Sequence, residues 1–404
     1  MIAVARPCAT GLAIAFASFV FAIPPTPARA EPPPADFYGV NSGVRLLSDG
    51  AARPAAFAAM RAGGLSYVRV DASWGGVEPA PPVAGAHTFR WTIYDAFVAD
   101  LARAGLRWYP MVGYSAEWAA STPGDPFSPP RDDADFAAFA AALARRYGSG
   151  GRFWSERPDL PRLPTTAYGI WNEPSNDMFW RGPAATPARY MRLYLAARAA
   201  IKAVDPDARV ATAGLLDSAG IDGNAYLRAM LASAPESRGQ IDAVGWHPYI
   251  GDVDLVMSSI WRARTSLTEA GLADVPIEVS EVGWHTGVPD SWRTAWMRGL
   301  ATRLPHANMN VTRLMPYVWS DDPVWGMTNP DGTLAPLGSA YIAGIRDAQS
   351  PDAYPSAVTT APGAERRAPS ACRVRRRSAT QRVGAPKNCL PRQRGAHKSA
   401  KRRG

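Results

Sequence analysis

The segment AYGIWNEP at residues 167–174 is an apolar run that ends in an amide, a carboxylate and a proline. The same order recurs along the chain: a short apolar run ends in polar or aromatic residues, and an Ala/Leu-rich stretch with helical spacing follows. This alternation predicts parallel strands joined by crossover helices. Two of the longer helices are predicted at residues 134–147 and 188–204.

Eight apolar runs of this kind are present, and each is interpreted as a strand. They lie at residues 37–40, 66–70, 107–112, 167–171, 209–213, 243–246, 277–280 and 312–317. Eight strand–helix units favour a closed barrel over an open sheet, which usually has fewer strands. The sequence therefore predicts an α/β fold, a (β/α)8 TIM barrel that forms a single catalytic domain over residues 31–350. We expect it to be a monomer.

Residues 1–30 have the pattern of an export signal. Arg6 supplies a positive charge, residues 11–23 are apolar, and Ala-Arg-Ala at 28–30 fits a cleavage site. The apolar run is short for a membrane span, and the prolines behind it would break a helix. An uncleaved N-terminal anchor is the alternative. We expect a secreted or extracytoplasmic protein that begins at Glu31.

Residues 351–404 form a strongly basic tail with 14 Lys and Arg against 2 Asp and Glu. The net charge of +9 for the whole chain belongs to this tail, since residues 31–350 carry −5. The tail has no hydrophobic periodicity, which predicts disorder. It would make weak contacts with anionic envelope polymers. Alternatively it is a solvated extension without a role, or the product of a shifted reading frame. Nucleic acid is not an expected partner.

Two glutamates follow the fourth and seventh runs, Glu173 in GIWNEP (169–174) and Glu281 in PIEVSEVGW (276–284). Glycoside hydrolysis requires two carboxyl groups that flank the scissile bond. Barrel strands bring their C-terminal ends to one face, so these two glutamates are expected to meet there. Pro174 is expected to hold Glu173 in an extended conformation. Glu278 is a rival carboxylate, but Glu281 lies at the strand's end and precedes Gly-Trp.

The two motifs resemble the acid/base and nucleophile segments of clan A glycoside hydrolases, family 39-like or family 5 cellulase-like. The resemblance spans roughly residues 36–346. It implies that Glu173 is the general acid/base and that Glu281 is the nucleophile. It also implies that Asn172 binds the sugar 2-hydroxyl. The implied mechanism uses no metal and no cofactor.

Polar residues after other strands would support Glu281. The segment VGWHPY at 244–249 resembles the place where the clan puts a histidine or tyrosine beside the nucleophile. Either His247 or Tyr249 would hydrogen-bond Glu281 and keep it ionised, with Tyr249 slightly favoured. A buried structural histidine is the alternative. By the same resemblance Arg69, after the second run, supports the nucleophile electrostatically, unless it forms a structural ion pair with a nearby carboxylate.

Tryptophans after the strands are candidates for binding sugar rings. An indole plane suits the C–H face of a pyranose. Trp319 follows the eighth run, where clan members stack a sugar, and Trp284 follows the nucleophile motif. Both are predicted to contact substrate, although a tryptophan taken singly is more often a core residue.

These expectations define a secreted, retaining β-glycoside hydrolase that cleaves a poly- or oligosaccharide through a glycosyl-enzyme intermediate. Two alternatives stay open. A transglycosylase acting on cell-envelope or exopolysaccharide glycan would use the same two glutamates. An inactive glycan-binding barrel is the other, and the presence of both glutamates together with Asn172 argues against it.

Overall fold

A computed structural model describes residues 31–350, which form a ring of parallel strands surrounded by helices. The predicted signal peptide at 1–30 and the predicted basic tail at 351–404 lie outside the described residues. Within the described part of the chain, no helix has both the length and the apolar character needed to cross a membrane.

Eight strands pair in chain order, each parallel to the next. They are β1 Gly39–Asn41, β2 Tyr67–Ser73, β3 Arg107–Gly113, β4 Ala167–Asn172, β5 Arg209–Ser218, β6 Ala243–Tyr249, β7 Ile277–Val279 and β8 Val311–Leu314. Parallel bridges Tyr38–Leu314 and Asn41–Tyr317 bring the first and last strands together. The predicted (β/α)8 barrel is confirmed, and every predicted run overlaps one of these strands.

Helices connect the strands on the outside of the ring. They are α1 Arg45–Ser48, α2 Arg53–Ala62, α3 Trp74–Val77, α4 Thr92–Arg103, α5 Asp133–Tyr147, α6 Arg152–Glu156, α7 Pro187–Val204, α8 Gly223–Ser233, α9 Val253–Glu269, α10 Asp290–Arg303 and α11 Pro336–Gln349, with 3₁₀ turns at Pro235–Gln240 and Leu304–His306. The two helices predicted individually are α5 and α7. Side chains cap both N-termini: Asp132 accepts from the Ala134 N–H, and Thr186 accepts from the Arg189 N–H.

The barrel interior contains a buried ion pair between Glu278 on β7 and Arg313 on β8. The Tyr109 hydroxyl donates to Oε2 of Glu278 at 2.6 Å, and the Arg313 guanidinium lies 4.7 Å from the centre of the Tyr67 ring. Glu278 has no exposed surface. Because a buried charge must be paired, this group serves the packing of the barrel interior. Glu278, the other carboxylate of the segment at 276–284, is therefore engaged in this ion pair.

Candidate active site

The two predicted catalytic glutamates meet at the C-terminal ends of the strands. Glu173 directly follows β4, and Glu281 lies two residues beyond β7. An oxygen of each carboxylate and a ring nitrogen of His247 all lie within 4.8 Å of one another. All three residues are at most 9% exposed. Because the C-terminal ends of the barrel strands share one face, the two acidic groups meet in one nearly closed site.

Glu281 is surrounded by hydrogen-bond donors. Its Oε1 accepts from Asn41 Nδ2 at 3.0 Å and from Arg69, and its Oε2 accepts from the Tyr249 hydroxyl at 2.9 Å. Burial alone would raise the pKa of this carboxyl. The electrostatic effect of His247 and Arg69 and the Tyr249 hydrogen bond outweigh burial and hold the pKa of Glu281 below its ordinary value. Glu281 is consequently ionised at neutral pH, as a nucleophile must be.

Arg69 connects the two sides of the site. One of its amino groups contacts Glu281, and Nη2 donates to Asn172 Oδ1 at 2.8 Å. Burial would lower the pKa of Arg69, but Glu281 and Asp71 raise it above its ordinary value, so the guanidinium stays charged. With Oδ1 engaged, Asn172 presents its NH₂ group, which bonds to no acceptor among residues 31–350. Asn172 can therefore donate to a ligand hydroxyl.

His247 and Asn176 hold the Glu173 carboxylate in place. His247 Nδ1 lies 2.8 Å from Oε1 of Glu173, and Asn176 Nδ2 donates to Oε2 at 3.0 Å. The other ring nitrogen of His247 lies 2.9 Å from the Ser280 hydroxyl. With a proton on Nδ1 the ring donates to Glu173, and the Ser280 hydroxyl can donate to Nε2 or accept from it. His247 therefore contacts the acid/base candidate, whereas Tyr249 contacts the nucleophile candidate.

The backbone at the acid/base position is strained. Trp171 has φ +70° and Glu173 has φ +43°, both in the left-handed region that non-glycine residues rarely adopt. The expectation that Pro174 keeps Glu173 extended is wrong. Tertiary contacts override the local preference: the Glu173 N–H donates to the Gly214 carbonyl at 3.2 Å, and the side chain is held as described above.

Gly214 on β5 makes room for the His247 ring. A Cβ at this position would overlap the imidazole, and no small shift of the ring would relieve the overlap. Gly214 is also the β-partner of Asn172 on the neighbouring strand. The absence of a side chain at Gly214 therefore lets the imidazole lie against the sheet, where it reaches Glu173.

A third carboxyl, that of Asp71, shares the cleft. Asp71 is two residues beyond Arg69 on β2, so both side chains point into the barrel mouth. It accepts a hydrogen bond from Tyr114. Burial raises the pKa of Asp71 to about 6; Arg69 opposes this rise and Glu281 adds to it.

The structure connects six of the eight predicted site residues by hydrogen bonds and ion pairs, and the two predicted tryptophans make no such side-chain bond to them within residues 31–350. The six are Glu173, Glu281, Asn172, Arg69, His247 and Tyr249. Trp319 is only 2% exposed and Trp284 only 4%, so both rings are largely covered by protein, and substrate contact by Trp284 stays a prediction. The Trp284 N–H donates to the Gly251 carbonyl at 2.5 Å and packs the loop after β7 against the loop after β6. Sugar stacking on Trp319 stays a prediction.

Sequence reasoning did not assign three residues that complete the site: Asn41, Asn176 and Ser280. Asn41 was visible as a polar residue at the end of the first run. Asn176 lies three residues after Glu173 in a turn, where its N–H donates to the Glu173 carbonyl at 2.9 Å. All three are amides or hydroxyls within four residues of a strand end.

Glu173, His247 and Glu281 also offer one ligand atom each that could hold a metal ion. Their chemistry, two carboxylates and an imidazole, suits several divalent cations. The acid/base and nucleophile roles need the same oxygens unbound. The expectation of a metal-free mechanism therefore stays a prediction that chelation can test.

No protein-family model and no curated protein matches the chain. Solved structures do match its fold. A monomeric β-xylosidase from Caulobacter crescentus CB15 has a TM-score of 0.59 and 21% identity, over 78% of this chain and 69% of its own. A GH39 enzyme from Xanthomonas axonopodis pv. citri has a TM-score of 0.58 and 20% identity, over 78% and 67%. The exo-β-1,4-mannosidase Op5Man5 from Opitutaceae bacterium strain TAV5 has 0.54 and 16%, over 78% and 60%.

At these identities the likeness is one of fold. The chain has the barrel of family 39 and related clan A glycoside hydrolase structures, so the resemblance inferred from the motifs is confirmed at that level.

Proposed function

We propose that the chain is a retaining β-glycoside hydrolase that cleaves poly- or oligosaccharides by double displacement. The observation that carries the proposal is the spacing of the two carboxyl groups. One oxygen of Glu173 and one oxygen of Glu281 lie within 4.8 Å of each other. Retaining enzymes hold the pair roughly 5–5.5 Å apart, whereas inverting enzymes need roughly 6.5–9.5 Å to admit a water between carboxylate and sugar. The short spacing supports direct attack by a carboxylate.

In the proposed reaction the Glu281 carboxylate attacks the anomeric carbon while Glu173 gives a proton to the departing oxygen. The first product leaves, and the sugar is held as an ester of Glu281. Glu173 then takes a proton from a water, which attacks the same carbon and releases Glu281. The Asn172 amide donates to the 2-hydroxyl of the sugar. Arg69 contacts both Asn172 and Glu281 and keeps these two side chains aligned.

The proposed substrate is a β-linked pentose or hexose unit. The solved structures of like fold include those named as a β-xylosidase and an exo-β-1,4-mannosidase. Xylose, mannose and glucose derivatives are the first compounds to try.

The decisive experiment is to incubate the protein with a panel of 2-deoxy-2-fluoro β-glycosides that carry good leaving groups, and to measure the intact mass. A mass increase equal to one fluorosugar, mapped by peptide digestion to Glu281, supports the retaining mechanism. An adduct on Glu173 or Glu278 would reverse the assignment. Hydrolysis without any adduct, with inversion seen in the product by NMR, would contradict it. EDTA should leave the reaction unchanged.

We also propose that residues 1–30 direct export and are removed. The support is the positive, apolar and Ala-Arg-Ala pattern of the sequence. Expression of the full chain in a bacterial host, followed by N-terminal sequencing of the exported protein, should give Glu31 as the first residue. Retention of residue 1 in a membrane fraction would instead identify an anchor.

A further inference from the structure

A cavity of about 500 Å³ lies between the loops that follow β6, β7 and β8, and its wall includes Tyr249, whose hydroxyl contacts Glu281. Its walls are mainly aromatic. They include Tyr249, Trp284, Trp292, Trp296 and Trp325. We call this cavity the tryptophan pocket. The reaction proposed above does not use it.

Tyr249 borders both the tryptophan pocket and the reacting centre. The hydroxyl of Tyr249 contacts Glu281, while its ring packs edge-on against Trp325 with centroids 5.4 Å apart. Gly283, from the nucleophile motif, allows this arrangement, because a Cβ there would press against the Tyr317 carbonyl and the Trp325 ring. The pocket and the Glu281 carboxylate are therefore in contact with the same side chain, that of Tyr249.

The outer wall of the pocket exposes aromatic surface that folding does not use. Trp292 on α10 is 58% exposed, and its ring lies 5.9 Å from that of Trp296 at an angle of 44°. Trp296 in turn packs on the buried Trp284 at 5.7 Å. Exposed apolar surface of this kind commonly marks a binding site. The flat face of an indole suits the C–H face of a pyranose.

The pocket also offers a hydrogen-bond donor at its rim. His285 Nδ1 accepts from the Gly287 N–H at 2.9 Å, which places the ring proton on Nε2. The His285 ring lies 5.5 Å from Trp325, and its Nε2 bonds to no group within residues 31–350. A sugar hydroxyl is a suitable acceptor for this N–H, whereas an alkyl chain offers none.

We propose that the tryptophan pocket is a subsite for a further pyranose unit of the glycan chain, connected through the chain to the sugar at Glu281. It rests on the proposed glycosidase function and deepens it, because an enzyme that binds a second region of the chain acts on oligomers rather than on single terminal units. Trp292 and Trp325 stack the ring, and His285 donates to one of its hydroxyls.

The test measures binding to the full chain carrying Glu281→Gln, which removes the nucleophile so that the glycan is not turned over. Disaccharides and hexasaccharides of β-1,4-linked xylose, mannose and glucose are titrated by calorimetry. For at least one of the three sugars, the hexasaccharide should bind at least tenfold more tightly than the disaccharide. Adding Trp292→Ala should reduce hexasaccharide affinity about tenfold, corresponding to roughly 1.4 kcal/mol, and disaccharide affinity much less.

Trp261→Ala is the matched control, since Trp261 is an exposed tryptophan on the neighbouring helix α9 that does not line the pocket. It should leave both affinities unchanged. Equal losses for both sugars, or no loss in the Trp292 variant, overturn the subsite. So does failure of all three hexasaccharides to bind. Tighter binding of an octyl β-glycoside, lost with Trp292→Ala, would identify an alkyl group instead and also overturn it.

Hydrolysis of 4-nitrophenyl β-glycosides by the wild-type protein separates the two conclusions. If the protein hydrolyses one of these compounds and the Trp292 variant binds hexasaccharide as before, the subsite is wrong and the glycosidase function stands. If the protein neither hydrolyses them nor forms an adduct with the fluorosugars, the glycosidase function itself is wrong.

Discussion

The Tyr249 hydroxyl donates a hydrogen bond of 2.9 Å to Oε2 of Glu281. Burial and the nearby Glu281 and Glu173 charges raise the pKa of Tyr249 well above its ordinary value, so this hydroxyl stays a donor. The bond favours the ionised form of Glu281 and is one reason why the pKa of Glu281 is low.

Tyr249→Phe should therefore raise the pKa of Glu281. Because Glu281 reacts only when ionised, the acidic limb of the kcat/KM profile should move to higher pH, and the plateau should fall roughly tenfold to a hundredfold, as expected for a lost hydrogen bond to a charge. Tyr226→Phe is the control, since that hydroxyl has no hydrogen-bond partner among residues 31–350. An unchanged acidic limb in the Tyr249 variant would show that the bond does not control the nucleophile.

Glu173→Gln should remove proton donation and leave the nucleophile intact. Substrates with poor leaving groups should lose about 10²- to 10⁴-fold in rate, whereas aryl glycosides with acidic phenols need little protonation and should lose far less. A plot of log kcat/KM against leaving-group pKa tests this, because its slope should steepen. Glu269→Gln, on the exposed end of α9, is the control. Equal losses across leaving groups would contradict the acid/base role.

Arg313→Met should strongly destabilise the barrel. It removes the nearer of two cations from the fully buried Glu278, leaving Arg209 at 3.6 Å, and breaking a buried pair typically costs about 3–5 kcal/mol. Arg298→Met removes an exposed ion pair with Asp347 and should cost at most about 1 kcal/mol. Urea unfolding measures both. Similar small losses for both variants would mean that the interior pair contributes little.

Asp71→Asn should change how stability depends on pH. The folded protein holds the Asp71 proton up to about pH 6, whereas an ordinary aspartate releases it near pH 4. The wild-type carboxyl therefore contributes stability below pH 4 that is lost as pH rises through 6. The variant, with a neutral side chain, should have a higher Tm than wild type above pH 7, and the difference should shrink towards pH 4. Exposed Asp207→Asn should show no such trend.

Gly214→Ala should damage both folding and catalysis, because the new methyl group overlaps the His247 ring. Overpacking of this kind typically costs about 1–3 kcal/mol. A displaced imidazole no longer contacts Glu173, so activity should fall at temperatures where the variant is still folded. Gly220→Ala is a suitable control, since a Cβ there meets no atom within 4 Å. Full activity in a folded Gly214 variant would show that His247 is not needed to position Glu173.

The fold and the central residues were predictable because both depend on repeated local patterns. Apolar runs followed by helical stretches identify the strands, and the strand-end rule then places Glu173 and Glu281 on one face. The exposure of a tryptophan follows no local pattern. Whether Trp319 or Trp292 presents its ring depends on loops far apart in sequence, which is why the buried Trp319 was a candidate and the exposed Trp292 was not.

The conformation of Glu173 was mispredicted for a related reason. The Glu-Pro pair sets a local preference of limited strength, while the contacts with Gly214, His247 and Asn176 act together on a single residue. Local rules describe what a segment prefers. Two of the contacts that override them at Glu173, those with Gly214 and His247, come from other strands.

The pairing of the first strand with the last affects when, during folding, Glu281 acquires its hydrogen-bond donors. Asn41 of the first strand donates to Glu281, and its own carbonyl accepts from the Trp319 N–H at 2.8 Å, just beyond the last strand. During synthesis the first strand leaves the ribosome long before the eighth exists, and contacts between distant segments form slowly. The nucleophile therefore acquires its complete set of donors only when the ring closes. We therefore expect the proposed hydrolysis to begin only when the barrel has closed.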